Sequence, residues 1–334
     1  MNEFELIDRF FTRDVPAGSI VRQGVGDDCA LLDCGERLLA VTTDLLLEGR
    51  HFLRGADPES LGHKALAVNL SDLAAAGATP RAFQLALALP FADEAWLQAF
   101  SRGLYALAEA HGCVLAGGDT TRVPQLPAAR SAPIDGPLTI CITALGDLPR
   151  DEARTRGGAR VGDDLWVSGT LGDARAALAY RQGELGEVSA QRAAVFTTRM
   201  DWPQPRVALG VALRGIASAA IDVSDGVLGD LGHILQRSRV GAVVEWDRVP
   251  RGEALRSLSP EEQQHCALAG GDDYELLFTA AAERRFDVEA AGAATAVTLA
   301  RIGRIVEPDA GLRILDGRGV ELPVPWRSYD HFAG

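Results

Sequence analysis

Six short acidic clusters, each beside glycine, serine or threonine, limit what this chain can fold into: Gly26-Asp27-Asp28, Thr42-Thr43-Asp44, Ser71-Asp72, Gly117-Gly118-Asp119-Thr120-Thr121, Asp222-Val223-Ser224-Asp225-Gly226 and Gly270-Gly271-Asp272-Asp273. Any one of them alone reads as a turn or a helix cap, because Asp, Gly and Ser dominate turns. Asp44 and Asp72 resist that reading. Asp44 closes the apolar run Arg37 to Thr43, and Asp72 sits within Ala-Leu-Ala-Val-Asn-Leu-Ser-Asp-Leu-Ala-Ala-Ala, a segment that predicts burial. A buried carboxylate is costly unless it is paired or metal-bound. Lys64 is the one lysine in the chain and lies on the same expected helix. A Lys64 to Asp72 ion pair is therefore one reading and a shared metal site the other; the number of such clusters favours metal. Magnesium takes carboxylate and hydroxyl oxygen, keeps several waters, and shares its remaining positions with substrate phosphates.

Apolar periodicity places these clusters on an alternation of strands and helices. Residues 37 to 43 read as a strand with Asp44 at its end. Asp57-Pro58-Glu59 is an N-cap followed by a first-turn proline and an acid, starting a helix that runs to Ala76 and stops at Gly77. Arg81 to Leu89 is a strand, Asp93 caps a helix ending near Gly112, Cys113 to Ala116 runs into Gly117-Gly118-Asp119, and Leu138 to Leu145 is a further strand. The stretch from Pro149 to Gly162, rich in Arg and Gly, is the best boundary. Beyond it, Asp164 to Ser168, Ala217 to Asp222, Ala242 to Trp246 and Leu276 to Thr279 read as strands, with helices after Leu171-Gly172-Asp173 and Gly226. The expectation is a mixed α/β and α+β protein of two domains, residues 1–148 and 149–334, with acids at strand ends where open α/β sheets build their sites.

Composition narrows the partners. With 33 basic against 46 acidic residues the net charge is -13, which disfavours nucleic acid and anionic membrane surfaces. An acidic protein that binds phosphates needs cations between them and its own carboxylates. Five scattered cysteines form no metal or redox motif. The N-terminus has no basic n-region with an apolar core, and no apolar run reaches membrane-spanning length, so a cytoplasmic location is expected. Gly24-Val25-Gly26-Asp27-Asp28 lacks the third glycine of a dinucleotide fingerprint, and no Gly-Lys-Ser or Gly-Lys-Thr is present for a P-loop. Nucleotide binding would thus rest on metals and arginine. His51 and His63 are candidate bases, yet a phosphate monoester is already largely dianionic near neutrality, with its second pKa at ~6; His51 is read as a substrate contact.

The assembled motifs resemble the thiamine-monophosphate kinase family, of the superfamily that includes aminoimidazole ribonucleotide synthetase and selenophosphate synthetase. The resemblance rests on Gly-Val-Gly-Asp-Asp-Cys-Ala at 24 to 30, Thr-Thr-Asp at 42 to 44, Gly-Arg-His-Phe at 49 to 52, Lys-Ala-Leu-Ala-Val-Asn-Leu-Ser-Asp-Leu-Ala-Ala at 64 to 75, Gly-Gly-Asp-Thr-Thr at 117 to 121, Asp-Val-Ser-Asp-Gly at 222 to 226, Gly-Gly-Asp-Asp-Tyr-Glu-Leu at 270 to 276 and Tyr-Asp-His-Phe at 329 to 332. It implies transfer of the γ-phosphoryl of ATP to thiamine monophosphate without a phosphoenzyme, several Mg2+ ions, potassium as a further candidate ion, and a homodimer whose N-terminal sheets pair into a β-barrel.

Position by position, the resemblance puts Asp28, Thr42, Thr43, Asp44, Asp72, Asp119, Asp222 and Asp225 on the metal pattern, with Asp44, Asp72 and Asp225 at the chemistry. It puts Tyr105, Gly118, Asp119, Arg156 and Ser224 on ATP, and His51, Asp272 and Tyr329 on the thiamine phosphate. Asp272 departs from the family's glutamate by one methylene. Asp27 and Asp273 are read as turn residues beside the working ones. Two alternatives stay open: another ATP-dependent synthetase or kinase of the superfamily, purine-pathway or selenophosphate-type, and a non-catalytic metal-binding protein. An aspartyl phosphatase lacks its Asp-x-Asp-x-Thr signature here.

Overall fold

The computed structural model describes residues 3–126 and 134–326. In the first half, α1 (Glu3–Phe10), β1 (Val21–Gln23), β2 (Ala30–Cys34), β3 (Arg37–Leu47), α2 (Pro58–Ala76), β4 (Thr79–Leu89), α3 (Glu94–Ala110), β5 (Val114–Arg122), β6 (Gln125–Leu126), β7 (Ile134–Asp135) and β8 (Thr139–Pro149) follow one another. The second half holds β9 (Asp164–Ser168), α4 (Asp173–Gln182), α5 (Ala190–Asp201), α6 (Val207–Ala212), β10 (Ala219–Asp222), α7 (Val227–Ser238), β11 (Gly241–Glu245), α8 (Glu253–Arg256), α9 (Pro260–Gln264), β12 (Leu276–Ala280), α10 (Arg285–Ala294), β13 (Leu299–Val306) and β14 (Leu312–Leu315).

Each half builds one six-stranded mixed sheet, in the orders β1-β2-β3-β8-β4-β5 and β10-β12-β9-β13-β11-β14. Only β4 with β5 and β11 with β14 run parallel; the other neighbours are antiparallel. The expected mixture of α/β and α+β architecture thus takes the form of two mixed sheets. One consequence falls on the site. β3 continues through Asp44 to Leu47, pairing with β8 along its whole length, so Asp44 is delivered from the middle of a strand and not from its end.

The helix α2 forms where its signals place it. Asp57 accepts a hydrogen bond from Ser60 N at 2.8 Å, Pro58 occupies the first turn, and Gly77 ends the helix with φ 73°. Its environment differs from an amphipathic surface helix: residues from Ser60 to Ala76 are buried on all sides except Asp72, which is partly exposed. α3, α6, β3, β8 and β10 all pack on it. Close approach to α3 is possible because the facing positions have no side chain. A Cβ on Gly62 would lie 2.0 Å from Phe100 O, and one on Gly103 1.8 Å from Glu59 O. Burial of Leu66, Leu70, Leu73, Phe83, Phe100 and Ile142 makes this the main core, and it also takes in Trp166, Ala220, Tyr274 and Phe278 from the second half. A second core fills the space around Leu165, Phe196, Leu231 and Leu277. No helix among the described residues is long and apolar enough to cross a membrane.

Candidate functional site

Three carboxylates converge from elements far apart in sequence. Asp28 ends the loop before β2, Asp72 projects from α2, and Asp222 is the last residue of β10; one oxygen from each lies within 4.8 Å of the others. Thr42, an inward residue of β3, donates its hydroxyl to Asp72 Oδ2. Thr43, the next residue, has its hydroxyl 2.9 Å from that of Thr143 and is exposed. Neighbouring strand residues face opposite ways, so the side chains of this pair divide between the cluster and the far face of the sheet.

The cluster is electrostatically unfavourable on its own. Burial, then the neighbouring Asp28, push Asp222 from its ordinary 3.8 up to about 8. Asp72 is driven well above the carboxylate range by burial and by Asp44, Asp222 and Asp28. Asp44 is raised to about 6 by burial. Asp28 is also raised by burial, although Arg156 opposes this through hydrogen bonds from Nη2 and Nε to Asp28 Oδ1 at 2.7 and 3.1 Å. Asp222 Oδ2 is buried without a hydrogen-bond partner. An orphaned buried carboxylate oxygen amid three hard oxygen donors fits a divalent cation, which would supply the missing positive charge. Asp28, Asp72 and Asp222 could hold such an ion, with Thr42 hydrogen-bonded to Asp72 and Asp44 electrostatically coupled to it.

Lys64 does not neutralise Asp72. Its Nζ lies 2.9 Å from Asp272 Oδ2, across the cleft between the two halves. The Asp72 ion pair is thereby excluded in this structure. A cavity of about 590 Å³ opens beside the cluster, walled by Asp44, His51, Lys64, Ser224, Asp225, Asp272 and Tyr274 among others. Leu47 N donates to His51 Nδ1 at 3.0 Å, so the ring proton is carried on Nε2.

Two motifs of the second half are zipped together at this cavity. Asp272 N donates to Ser224 O, Tyr274 N to Val223 O, and Val223 N to Glu275 O, at 2.8 to 2.9 Å. A Cβ on Gly271 would lie 2.1 Å from Ser224 O, which is why glycine stands there. Asp272 and Tyr274 adopt φ of 68° and 50°, an unfavourable conformation for residues with side chains. Their side chains meet over the cavity, Tyr274 Oη donating to Asp272 Oδ1 at 3.0 Å. Asp273 and Glu275 turn the other way. Asp273 is buried and accepts from Gly172 N at 2.8 Å, and Glu275, 1% exposed, takes Arg199, Arg206 and the Ser168 hydroxyl.

Asp27 and Asp273 are thus more than turn residues. Asp27 accepts from Arg156 N at 3.2 Å and is raised to about 7 by burial and Asp28. Sequence reading also missed Asp230, whose buried carboxylate accepts from Gly226 N at 3.0 Å and Asp225 N at 3.3 Å, pinning the loop that carries Ser224 and Asp225. An aspartate in the first turn of α7 was the available signal.

Other expected residues lie apart. Gly118 and Asp119 are exposed on the edge strand β5, with β8 and β4 between it and β3, about 14 Å across three strand spacings. Tyr105 is 43% exposed on α3, in a separate groove. Tyr329 lies outside the described residues.

This combination of two mixed sheets, a buried central helix and a carboxylate cluster at their junction defines a class: the AIR synthase related proteins match in two parts, the N-terminal domain over residues 26–148 and the C-terminal domain over 160–314. The thiamine-monophosphate kinase of Escherichia coli (strain K12) is 43% identical over 334 residues, spanning 99% of this chain and 98% of the relative; that of Haemophilus influenzae is 40% identical with the same coverage. Among solved structures, the thiamine-monophosphate kinase of Stenotrophomonas maltophilia K279a aligns with a TM-score of 0.76 at 45% identity, covering 89% of this chain and 92% of that one. AaThiL complexed with AMPPCP and TMP aligns with a TM-score of 0.80 at 30% identity, covering 99% and 97%. The chain belongs to the thiamine-monophosphate kinase family.

Proposed function

We propose that this protein transfers the γ-phosphoryl group of ATP to thiamine monophosphate, forming thiamine diphosphate and ADP by direct in-line displacement. The carrying observation is the junction of the Asp28, Asp72 and Asp222 cluster with a cavity walled by Asp44, His51 and Asp272, in a chain whose relative AaThiL was solved with AMPPCP and TMP. The acceptor needs no general base, since its phosphate is already an anionic nucleophile near neutral pH. Phosphoryl transfer therefore asks the protein for alignment and charge neutralisation.

Asp28, Thr42, Asp44, Asp72, Asp222 and Asp225 would hold Mg2+, which when bound supplies the positive charge that lets two polyanions approach. Arg156, anchored on Asp28, adds a guanidinium to the polyphosphate side, and Ser224 lines the cavity. His51 and Asp272 line the acceptor side, with Tyr329 as a third contact.

Dimerisation is part of the reading. β5 is an edge strand with almost every residue exposed, and Val114 is 65% and Leu45 56% exposed on the same sheet; pairing of two such sheets into a barrel would cover them and bring Tyr105, Gly118, Asp119 and Thr43 to a shared boundary. Light scattering that finds a monomer would remove this element. The domain division at 148 and 149 falls at the last residue of β8 and is tested by whether limited proteolysis cuts between Pro149 and Gly162. A cytoplasmic location and a potassium requirement belong to the same proposal.

The experiment is incubation with ATP, thiamine monophosphate and magnesium, with the product identified by mass. ADP must appear only when acceptor and metal are both present. ADP formation independent of thiamine monophosphate would overturn the assignment.

A further inference from the structure

We propose that Lys64 is the acceptor-reading cation of the cavity: its ammonium binds the phosphate of the incoming ester, so that the enzyme takes thiamine monophosphate in preference to unphosphorylated thiamine. The inference rests on the phosphotransfer reading above and names a residue for its substrate selection.

Three observations carry it. The first is chemical. Of the chain's 33 basic residues one alone is lysine. Arginine serves every other cationic position, including the buried pairs at Glu275 and Asp28. A lysine standing alone marks a place where a planar fork does not serve and a compact, rotatable point charge does. A bidentate pair with Asp272 would suit arginine as well or better. The lysine is thus better explained by a partner other than Asp272.

The second is position. The Lys64 side chain is 7% exposed, against 21% for Arg175 and 28% for Arg181 on the same cavity wall, and the third arginine there, Arg50, is exposed. Arg175 and Arg181 are already paired with Glu184 and Asp201. Lys64 therefore offers the most deeply set positive charge of that wall, on the helix that also carries Asp72.

The third is unspent capacity. An ammonium has three donors. Among the described residues the ammonium has one hydrogen-bond partner, Asp272 Oδ2, on a loop held in an unfavourable backbone conformation and braced by Tyr274. Asp272 aims the ammonium at the cavity and leaves two donors for a ligand. A phosphate monoester dianion supplies the acceptors and the opposite charge.

The test compares binding of thiamine monophosphate and of thiamine by calorimetry, without nucleotide, to the full-length protein and to Lys64→Met, Asp272→Asn and the double variant, with melting curves for each. The parent should prefer the phosphorylated ligand. Lys64→Met should cut that preference about 10- to 100-fold, the worth of a charge-assisted hydrogen bond, while thiamine binding and the KM for ATP change little. A loss of the same sign, smaller because the ammonium is no longer aimed by a carboxylate, should still appear when Lys64→Met is added to Asp272→Asn. An unchanged preference in a folded Lys64→Met protein overturns the proposal, and so does a loss that vanishes in the Asp272→Asn background, which would make Lys64 a support for Asp272. If Lys64→Met does not fold, Lys64→Gln takes its place under the same criteria. Failure of the parent to turn over thiamine monophosphate with ATP would instead sink the underlying functional reading, an outcome seen before any variant is made.

Discussion

Replacing Asp222 with Asn should make the metal-free protein more stable while abolishing its response to magnesium. Asp222 rises from 3.8 to about 8 because it is buried beside Asp28. In the unfolded chain at pH 7 it is ionised, whereas in the metal-free fold it must take up a proton. The difference between 7 and 3.8, at about 1.36 kcal/mol per pH unit, amounts to about 4 kcal/mol against folding. The sign follows from the direction of the shift. Below 3.8 both states are protonated and nothing is lost; as pH rises from 3.8 through 8 the unfolded state sheds a proton that the fold retains, and stability falls. Asn is a neutral near-isostere whose amide can donate to Asp28 or Asp72, so most of that penalty disappears.

Denaturant titration with a chelator present should therefore show Asp222→Asn more stable than the parent by about 2 to 4 kcal/mol at pH 7, allowing for imperfect hydrogen bonds, with the gap narrowing toward pH 4. Excess magnesium should stabilise the parent, because it binds the fold and not the unfolded chain. The variant should gain far less, and its turnover should drop by more than about 100-fold. Equal stability of the two proteins in chelator across this range, or equal stabilisation of both by magnesium, would refute the idea that the cluster is held strained for a cation.

Three further outcomes follow from particular contacts. Glu275→Ala strands Arg199 and Arg206 beside a buried site and should destabilise by about 3 to 5 kcal/mol in denaturant titration. Gly103→Ala would set a Cβ 1.8 Å from Glu59 O; α2 and α3 must separate, at about 3 kcal/mol of overpacking, read as a lowered melting temperature. His233 is held down to about 4 from 6.5 by burial, then Arg156 and Arg237, so its contribution is intact above pH 6.5 and lost as pH falls toward 4; Asp or Glu titrations aside, His233→Gln should flatten the melting-temperature profile in that window.

Local signals placed the elements that depend on neighbouring residues. Asp57, Pro58 and Gly77 bound α2 where the sequence predicts it, Asp93 caps α3, and Asp164 to Ser168 is β9 in full. Features that depend on distant partners were not legible. Burial of α2 on all its sides depends on covering surfaces from α3, α6, β8 and β10. β3 runs on past Asp44 because β8, about a hundred residues later, pairs with it. α10 has no side-chain cap and β13 no clean alternation, and both escaped notice, as did α5 although Ser189 caps it.

The acidic motifs show the same limit at finer scale. Composition marks Gly270 to Glu275 as acidic but does not sort its members. Strand-like alternation does that sorting, because the segment continues the pairing of β10 with β12 back toward Ser224. Asp272 and Tyr274 then meet the cavity, while Asp273 and Glu275 bind Gly172 and two arginines beneath it. A loop with two side-chain-bearing residues at positive φ needs such anchoring to persist. Lys64 completes the arrangement from the other half of the chain. The cavity carboxylate Asp272 is thus paired with a lysine that the sequence also offers to Asp72, and Asp72 keeps no ion pair among the described residues.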